Sequence, residues 1–110
     1  MVAMKPGLAV LYRWKLHPGS DASFVDAWSR VTAILLERGG SLGSRLHRGS
    51  DGIWYGYAQW PNAQARELAF AQPPDPAASA QMRAAVAESL PEVLLEPISD
   101  FLVLPIASDV

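Results

Sequence analysis

An α+β domain built on a four-stranded antiparallel sheet is what three features of this sequence predict. Residues 8–16 (LAVLYRWKL) alternate large apolar side chains with others, residues 21–38 repeat apolar side chains at three- and four-residue spacing, and residues 42–48 and 53–60 are extended runs joined by Gly49-Ser50-Asp51-Gly52. Strict alternation marks a half-buried strand, the 3.6-residue repeat marks an amphipathic helix, and a short glycine-containing break between extended runs marks a hairpin.

Taken in order, the first strand sends Leu8, Val10, Tyr12, Trp14 and Leu16 to one face and Ala9, Leu11, Arg13 and Lys15 to the other. His17-Pro18-Gly19-Ser20 breaks it, and Ser20 or Asp21 caps the helix that follows. That helix runs to about Arg38, with Phe24, Ala27, Trp28, Val31, Ile34 and Leu35 on its core face and Gly39-Gly40 ending it. Pairing the hairpin symmetrically about its turn places Leu42, Ser44, Leu46 and Arg48 with Ile53, Tyr55, Tyr57 and Gln59. Gly43, Arg45 and His47 then share the other face with Trp54, Gly56, Ala58 and Trp60. A one-residue slip would exchange the faces of the slipped strand.

Asn62 caps a second helix running to about Gln72, with Leu68 and Phe70 its large apolar residues. Gln72-Pro73-Pro74-Asp75-Pro76 interrupts it, and Asp75 before Pro76 starts a further helical piece, because proline suits the first helical position. Met82, Val86 and Leu90 at intervals of four carry that piece to about Leu90, and Pro91 stops it. The last strand is expected within residues 93–104, best defined at 98–104, with Pro97 at an edge or a break. The order strand, helix, strand, strand, helix in two pieces, strand is the ferredoxin-like βαββαβ arrangement, with the helices on one face of the sheet.

Composition agrees with that plan. The chain has 110 residues, 50% hydrophobic and 18% charged, against roughly 25% charged in an average domain. The length suits a single domain over residues 1–110 with a core of its own. The apolar surplus excludes disorder and leaves more apolar surface than one small domain hides. In the first strand and the hairpin neither face is plainly polar, so the second sheet face is expected to pack on another copy, as a homodimer. The net charge is −2 and no basic stripe is present, so neither nucleic acid nor an anionic membrane is an expected partner. The absence of cysteine excludes disulfides, thiolate metal sites and cysteine nucleophiles. No run approaches the ~20 apolar residues of a membrane span, and the expectation is a soluble, cytoplasmic protein.

Several of these features occur together in a known family. The first strand ending in Trp14 and followed by Pro18-Gly19, the helix opening near Phe24, Gly40 before the second strand, and Tyr57-Ala58-Gln59-Trp60 leading into a polar helix start resemble the antibiotic biosynthesis monooxygenase superfamily over nearly the whole chain. The resemblance implies a dimeric α+β barrel, in which the sheets of two ferredoxin-like subunits face each other. It also implies an activity from a diverse set, including cofactor-independent oxygenases of aromatic polyketides and haem-degrading enzymes, so the fold does not settle function. Where many members carry a histidine about nine residues after the tryptophan matched to Trp60, this chain has Ala69. That departure removes the haem ligand this helix would offer, and no cofactor is expected.

Two groups of residues are candidates for chemistry. On the symmetric register His47 faces Trp54, with Arg45 beside it and Gly56 and Ala58 leaving floor space between Trp54 and Trp60. Such a trough takes a flat aromatic ligand, with His47 and Arg45 as the catalytic polar groups. The competing reading is that Gly56 and Ala58 let a helix or a partner sheet approach, with Arg45 and His47 at the edge of the interface. The second group is Tyr12, Trp14, Tyr55 and Tyr57, which would line a pocket between sheet and helices and orient an aromatic substrate through phenol hydroxyls. Trp28, at core spacing, is assigned to packing, and His17 to a surface turn. With only two histidines and no acidic partner at ligand spacing, a metal site is not expected. No GxSxG elbow, phosphate-binding loop, dinucleotide fingerprint or HExxH is present. The function expected is a cofactor-independent monooxygenase or small-molecule-binding protein acting on a flat aromatic or enolic compound. Such an oxygenase need only bind an acidic phenol or enol, help deprotonate it and exclude water while the carbanion meets dioxygen. The alternative is a non-catalytic homodimeric binding or regulatory module.

Overall fold

The computed structural model describes residues 5–71 and 75–103. Its elements are β1 Leu8–Leu16, α1 Asp21–Arg38, β2 Ser44–Arg48, β3 Trp54–Trp60, α2 Ala63–Ala71, α3 Pro76–Ala85 and β4 Val86–Leu95. The strands form one sheet in the order β2-β3-β1-β4, and every neighbouring pair is antiparallel. This is the ferredoxin-like order the sequence predicts.

The helix starts follow the capping chemistry read from the sequence, with one difference. Asn62 Oδ1 accepts from the Ala65 amide at 2.8 Å, and Asp75 Oδ1 accepts from the Ala78 amide at 2.9 Å, with Pro76 in the first turn. Ser20 occupies the N-cap of α1 but makes no side-chain cap bond. At the other end of α1 the chain leaves through Gly40 at φ +81°, a left-handed conformation that glycine adopts without steric cost. The expected end of α2 at Gln72 lies outside the described residues.

The hairpin register differs from the symmetric one by a single residue. Arg48 pairs with Trp54, His47 with Tyr55 and Ser44 with Ala58. The turn sets this. The Gly49 amide donates to the Ile53 carbonyl at 2.7 Å, so the loop holds three residues, Ser50, Asp51 and Gly52, rather than four. Asp51 Oδ1 accepts from the Ile53 amide at 3.0 Å, and Gly52 at φ +82° turns the chain back. Arg45 and His47 therefore share a face with Tyr55 and Tyr57, not with Trp54 and Trp60, and the trough expected between the indoles and His47 does not form.

The C-terminal third differs more. The helix predicted to reach Leu90 stops at Ala85, and Val86–Leu95 is the final strand, so residues 96–103 are not a strand and Leu104 lies outside the described residues. Val86 already has extended angles, φ −90° and ψ 120°, and β4 takes the open edge of β1 from Leu16↔Val86 to Ala9↔Leu95. Satisfying a whole edge of backbone donors and acceptors outweighs the helical preference of an alanine-rich run. Pro91, which lacks an amide hydrogen, falls where the register shifts between Leu11 and Arg13, and its carbonyl accepts from Arg13 Nη2 at 2.7 Å.

Of the two faces of β1, the one carrying Leu8, Val10, Tyr12, Trp14 and Leu16 meets the helices. Val10, Ala58 and Trp60 pack with Leu35 of α1, and Trp14 and Trp54 pack with Phe24 and Ala85. Phe24 sits edge-on to both Trp14 and Trp54, at 5.2 and 5.8 Å between centroids. Each such buried side chain contributes about 1.5–3 kcal/mol relative to exposure. Among the described residues no helix is long and apolar enough to cross a membrane.

Candidate ligand site between sheet and helices

Inside this layer a cavity of about 100 Å³ remains. Tyr12 and Trp14 of β1, Gly56, Ala58 and Trp60 of β3, and Trp28 and Met82 of the helices form much of its wall. The alternation of β1 brings Tyr12 and Trp14 to the helix face, and their rings stack at 5.8 Å with planes 10° apart. Gly56 is required beneath them, because a Cβ there would lie 2.9 Å from Trp14 Cη2. The glycine thus admits a ring from the neighbouring strand of the same chain, so its place is neither an open floor nor a contact made for a partner sheet. Trp28, assigned to packing, does pack on the Trp14–Phe24 cluster and also lines the cavity.

The polar groups around this space are few and specific. Trp60 is 1% exposed, and its indole Nε1 makes no hydrogen bond of good geometry, only a weak contact with the Tyr12 hydroxyl. A ligand acceptor would satisfy this buried donor better. The Tyr12 hydroxyl accepts from Arg66 Nε at 3.0 Å, and Arg66 Nη2 donates to both carboxylate oxygens of Glu92 at 2.7 Å. The guanidinium also lies over the rings of Tyr12 and Phe70, at 5.5 and 5.3 Å from their centroids. Burial pushes the Tyr12 phenol above its ordinary value, while the Arg66 guanidinium pulls it back. The phenol therefore stays protonated at neutral pH and offers a hydrogen-bond donor.

The predicted site residues separate into two places. Tyr12, Trp14 and Trp60 line the cavity, while Trp54 is in the adjoining core against Phe24, with the Arg48 guanidinium over its ring at 5.0 Å. Arg45 and His47 are exposed on the opposite sheet face, where His47 Nδ1 lies 3.3 Å from the Tyr55 carbonyl. Tyr57 contributes to both walls, and Tyr55 faces away from the helices, its hydroxyl donating to the Asp51 carboxylate. On that opposite face Ala9, Leu11, Arg45, His47, Tyr57 and Gln59 and the segment 95–103 enclose an open groove of about 940 Å³. Arg66, Glu92, Phe70 and Met82 were not legible as site residues. Arg66 meets Tyr12 across 54 positions and Glu92 across 26, and no local pattern announces such contacts. No group of three or more His, Cys, Asp or Glu side chains that could hold a metal ion occurs among the described residues.

With this geometry in view, the chain has the α+β ferredoxin-like fold of the antibiotic biosynthesis monooxygenases. The solved structure of SnoaB, a cofactor-independent oxygenase from Streptomyces nogalater, superposes with a TM-score of 0.74 at 21% identity, over 88% of this chain and 98% of that one. A candidate antibiotic biosynthesis monooxygenase from Caulobacter crescentus gives a TM-score of 0.74 at 18% identity, over 87% and 93% of the two chains. A second, from Chloroflexus aurantiacus, gives 0.72 at 12% identity, over 84% and 94%. No family model matches the sequence, and no curated protein matches it.

Proposed function

We propose that this chain binds a flat aromatic or enolic molecule in the space between the sheet and α1 and α3, and oxygenates it without a bound cofactor. The observation that carries the reading is the cavity itself, walled by three indoles and two phenols, with the buried indole of Trp60 among them. Stacked rings suit a planar ligand, and a buried donor suits an oxygen on its edge. The likeness to SnoaB supports the same class of chemistry. In that chemistry an acidic ring C–H or enol loses a proton, the carbanion gives its electron pair to dioxygen to make a C–O bond, and the hydroperoxide loses water to leave a carbonyl. The walls would keep bulk water from the carbanion.

The second sheet face and the segment after β4 complete the proposal as a homodimer. Ile98, Phe101, Leu102 and Val103 are exposed, Phe101 by 90%, and the segment borders the open groove of the sheet. A second copy packed there would cover these side chains and place Arg45 and His47 at the interface. The test of the activity is dioxygen uptake by chelator-treated protein with flat phenols and enolisable ketones of one to three rings. Uptake that needs the folded chain and falls in Trp60→Phe supports oxygenation. No uptake with any of them, while the ligands still bind, supports the non-catalytic binding module instead.

A further inference from the structure

We infer that the side chain of Met82 is the movable wall of the cavity, and that its size and flexibility set how large a flat molecule enters from the cleft outside. The inference rests on the cavity reading above and adds the way in.

The volumes require that something moves. An apolar cavity of about 150 Å³ accepts a benzene ring. The space between sheet and helices is about 100 Å³, so even one ring enters only when part of its wall gives way. Beside it lies an open cleft of about 400 Å³, bounded by α3, the first residues of β4 and Val31 of α1. Trp14, Val31 and Met82 border both spaces and so form the partition between them. With the partition displaced, the cavity and the cleft together reach the roughly 300–1,000 Å³ of ordinary small-molecule sites.

The residues of the partition differ in their freedom. The Trp14 ring stacks on Tyr12 at 5.8 Å, meets Phe24 at 5.2 Å, and passes so near Gly56 that a Cβ there would lie 2.9 Å away. Val31 is in α1, where a β-branched side chain keeps essentially one χ1 rotamer. Met82, near the C-terminal end of α3, is only partly buried against the Trp14–Phe24 cluster. Its chain is unbranched and turns about several single bonds, so it can swing into the open cleft without moving the backbone. Phe70 is the cavity residue most exposed after that, at 44%, but its ring is held edge-on to Trp60 at 5.7 Å and lies under the Arg66 guanidinium at 5.3 Å.

The experiment is stopped-flow quenching of the indole fluorescence by nitrobenzene and by 1-nitronaphthalene, flat probes of one and two rings, with saturation separating binding from collision. In Met82→Ala the association rate constant of 1-nitronaphthalene should rise about tenfold, as for about 1.4 kcal/mol removed from the barrier. Its affinity should rise more than that of nitrobenzene. Met82→Leu keeps the volume but stiffens the wall, and should slow association and dissociation together while leaving the affinity for nitrobenzene unchanged. A packing role alone would lower stability to urea and leave the rates as they are, and that result overturns the movable wall. Phe70→Ala should leave the rates at those of the parent chain. If it speeds entry and Met82→Ala does not, the wall that moves is on α2 and the inference falls. Saturable binding at equal rates in the parent and both Met82 variants overturns the role of Met82 and leaves the cavity reading standing. Absence of saturable binding in every variant overturns both.

Discussion

The hydroxyl of Tyr12, on the first strand, is held by the guanidinium of Arg66, on the second helix, through a hydrogen bond of 3.0 Å. The pair joins the two halves of the βαββαβ chain at the wall of the cavity. It also explains why a phenol on the helix face of the sheet remains polar at its tip while its ring stacks on Trp14.

Burial raises the Tyr12 phenol, so the folded state holds this proton more tightly than the unfolded chain does. The associated stability is fully present below the ordinary phenol value and is lost as pH rises through the folded one. Ultraviolet titration of the three tyrosines should therefore show two late-ionising phenols, Tyr12, raised by burial, and Tyr55, raised by its hydrogen bond to the Asp51 carboxylate. Tyr12→Phe should remove one of these two late components, and a titration unchanged by it would contradict the assignment.

Phe24 is fully buried between Trp14 and Trp54. Phe24→Ala removes an aromatic ring from a packed cluster and should cost about 3–5 kcal/mol, read from urea unfolding midpoints. A loss below about 1 kcal/mol would mean that the cluster collapses to fill the space.

Gly56→Ala places a methyl group against Trp14 Cη2 and Cζ3, which lie 2.9 and 3.0 Å from the Cβ position. The indole must move, at a cost of about 1–3 kcal/mol, and the direction open to it is the cavity. Near-ultraviolet circular dichroism should change, and ligand affinity should fall with it. An unchanged spectrum and affinity would show that the ring has other room.

At the hairpin tip the Tyr55 hydroxyl holds the Asp51 carboxyl below its ordinary value, with the Ile53 amide adding to the effect. A depressed carboxyl stabilises the fold above its unfolded value, and that support disappears as pH falls through the folded value. In Tyr55→Phe the Asp51 carbon resonance should titrate at higher pH than in the parent chain. If the two curves coincide, the hydroxyl contact is absent in solution.

Homodimerisation predicts a mass by light scattering of twice the 11.9 kDa of one chain. Joint replacement of Ile98 and Phe101 by serine should shift the population toward monomer. A single-chain mass at micromolar concentration for the parent protein would contradict it.

The sequence made some of this visible and hid the rest for definable reasons. The faces of β1, the extent of α1, and the caps at Asn62 and Asp75 follow from local periodicity and local hydrogen bonding, and the structure has them. The hairpin was legible but its register was not, because Asp51 and Gly52 close a three-residue loop where a four-residue one reads equally well. That one residue carries Arg45 and His47 to the face opposite Trp54 and Trp60. The last strand reads as lying within residues 93–104, after a helix to about Leu90, whereas it spans Val86–Leu95, because the helical spacing of Met82, Val86 and Leu90 is local and the vacant edge of β1 is not. Arg66 and Glu92, far apart in the chain, met only through the fold.

A crystal structure of the protein soaked with a flat phenol that it binds decides between the two faces of the sheet. The proposed function requires the ring on the helix face, against Trp14 and Trp60. A ring bound instead on the open face beside Arg45, His47 and Tyr57 would contradict it.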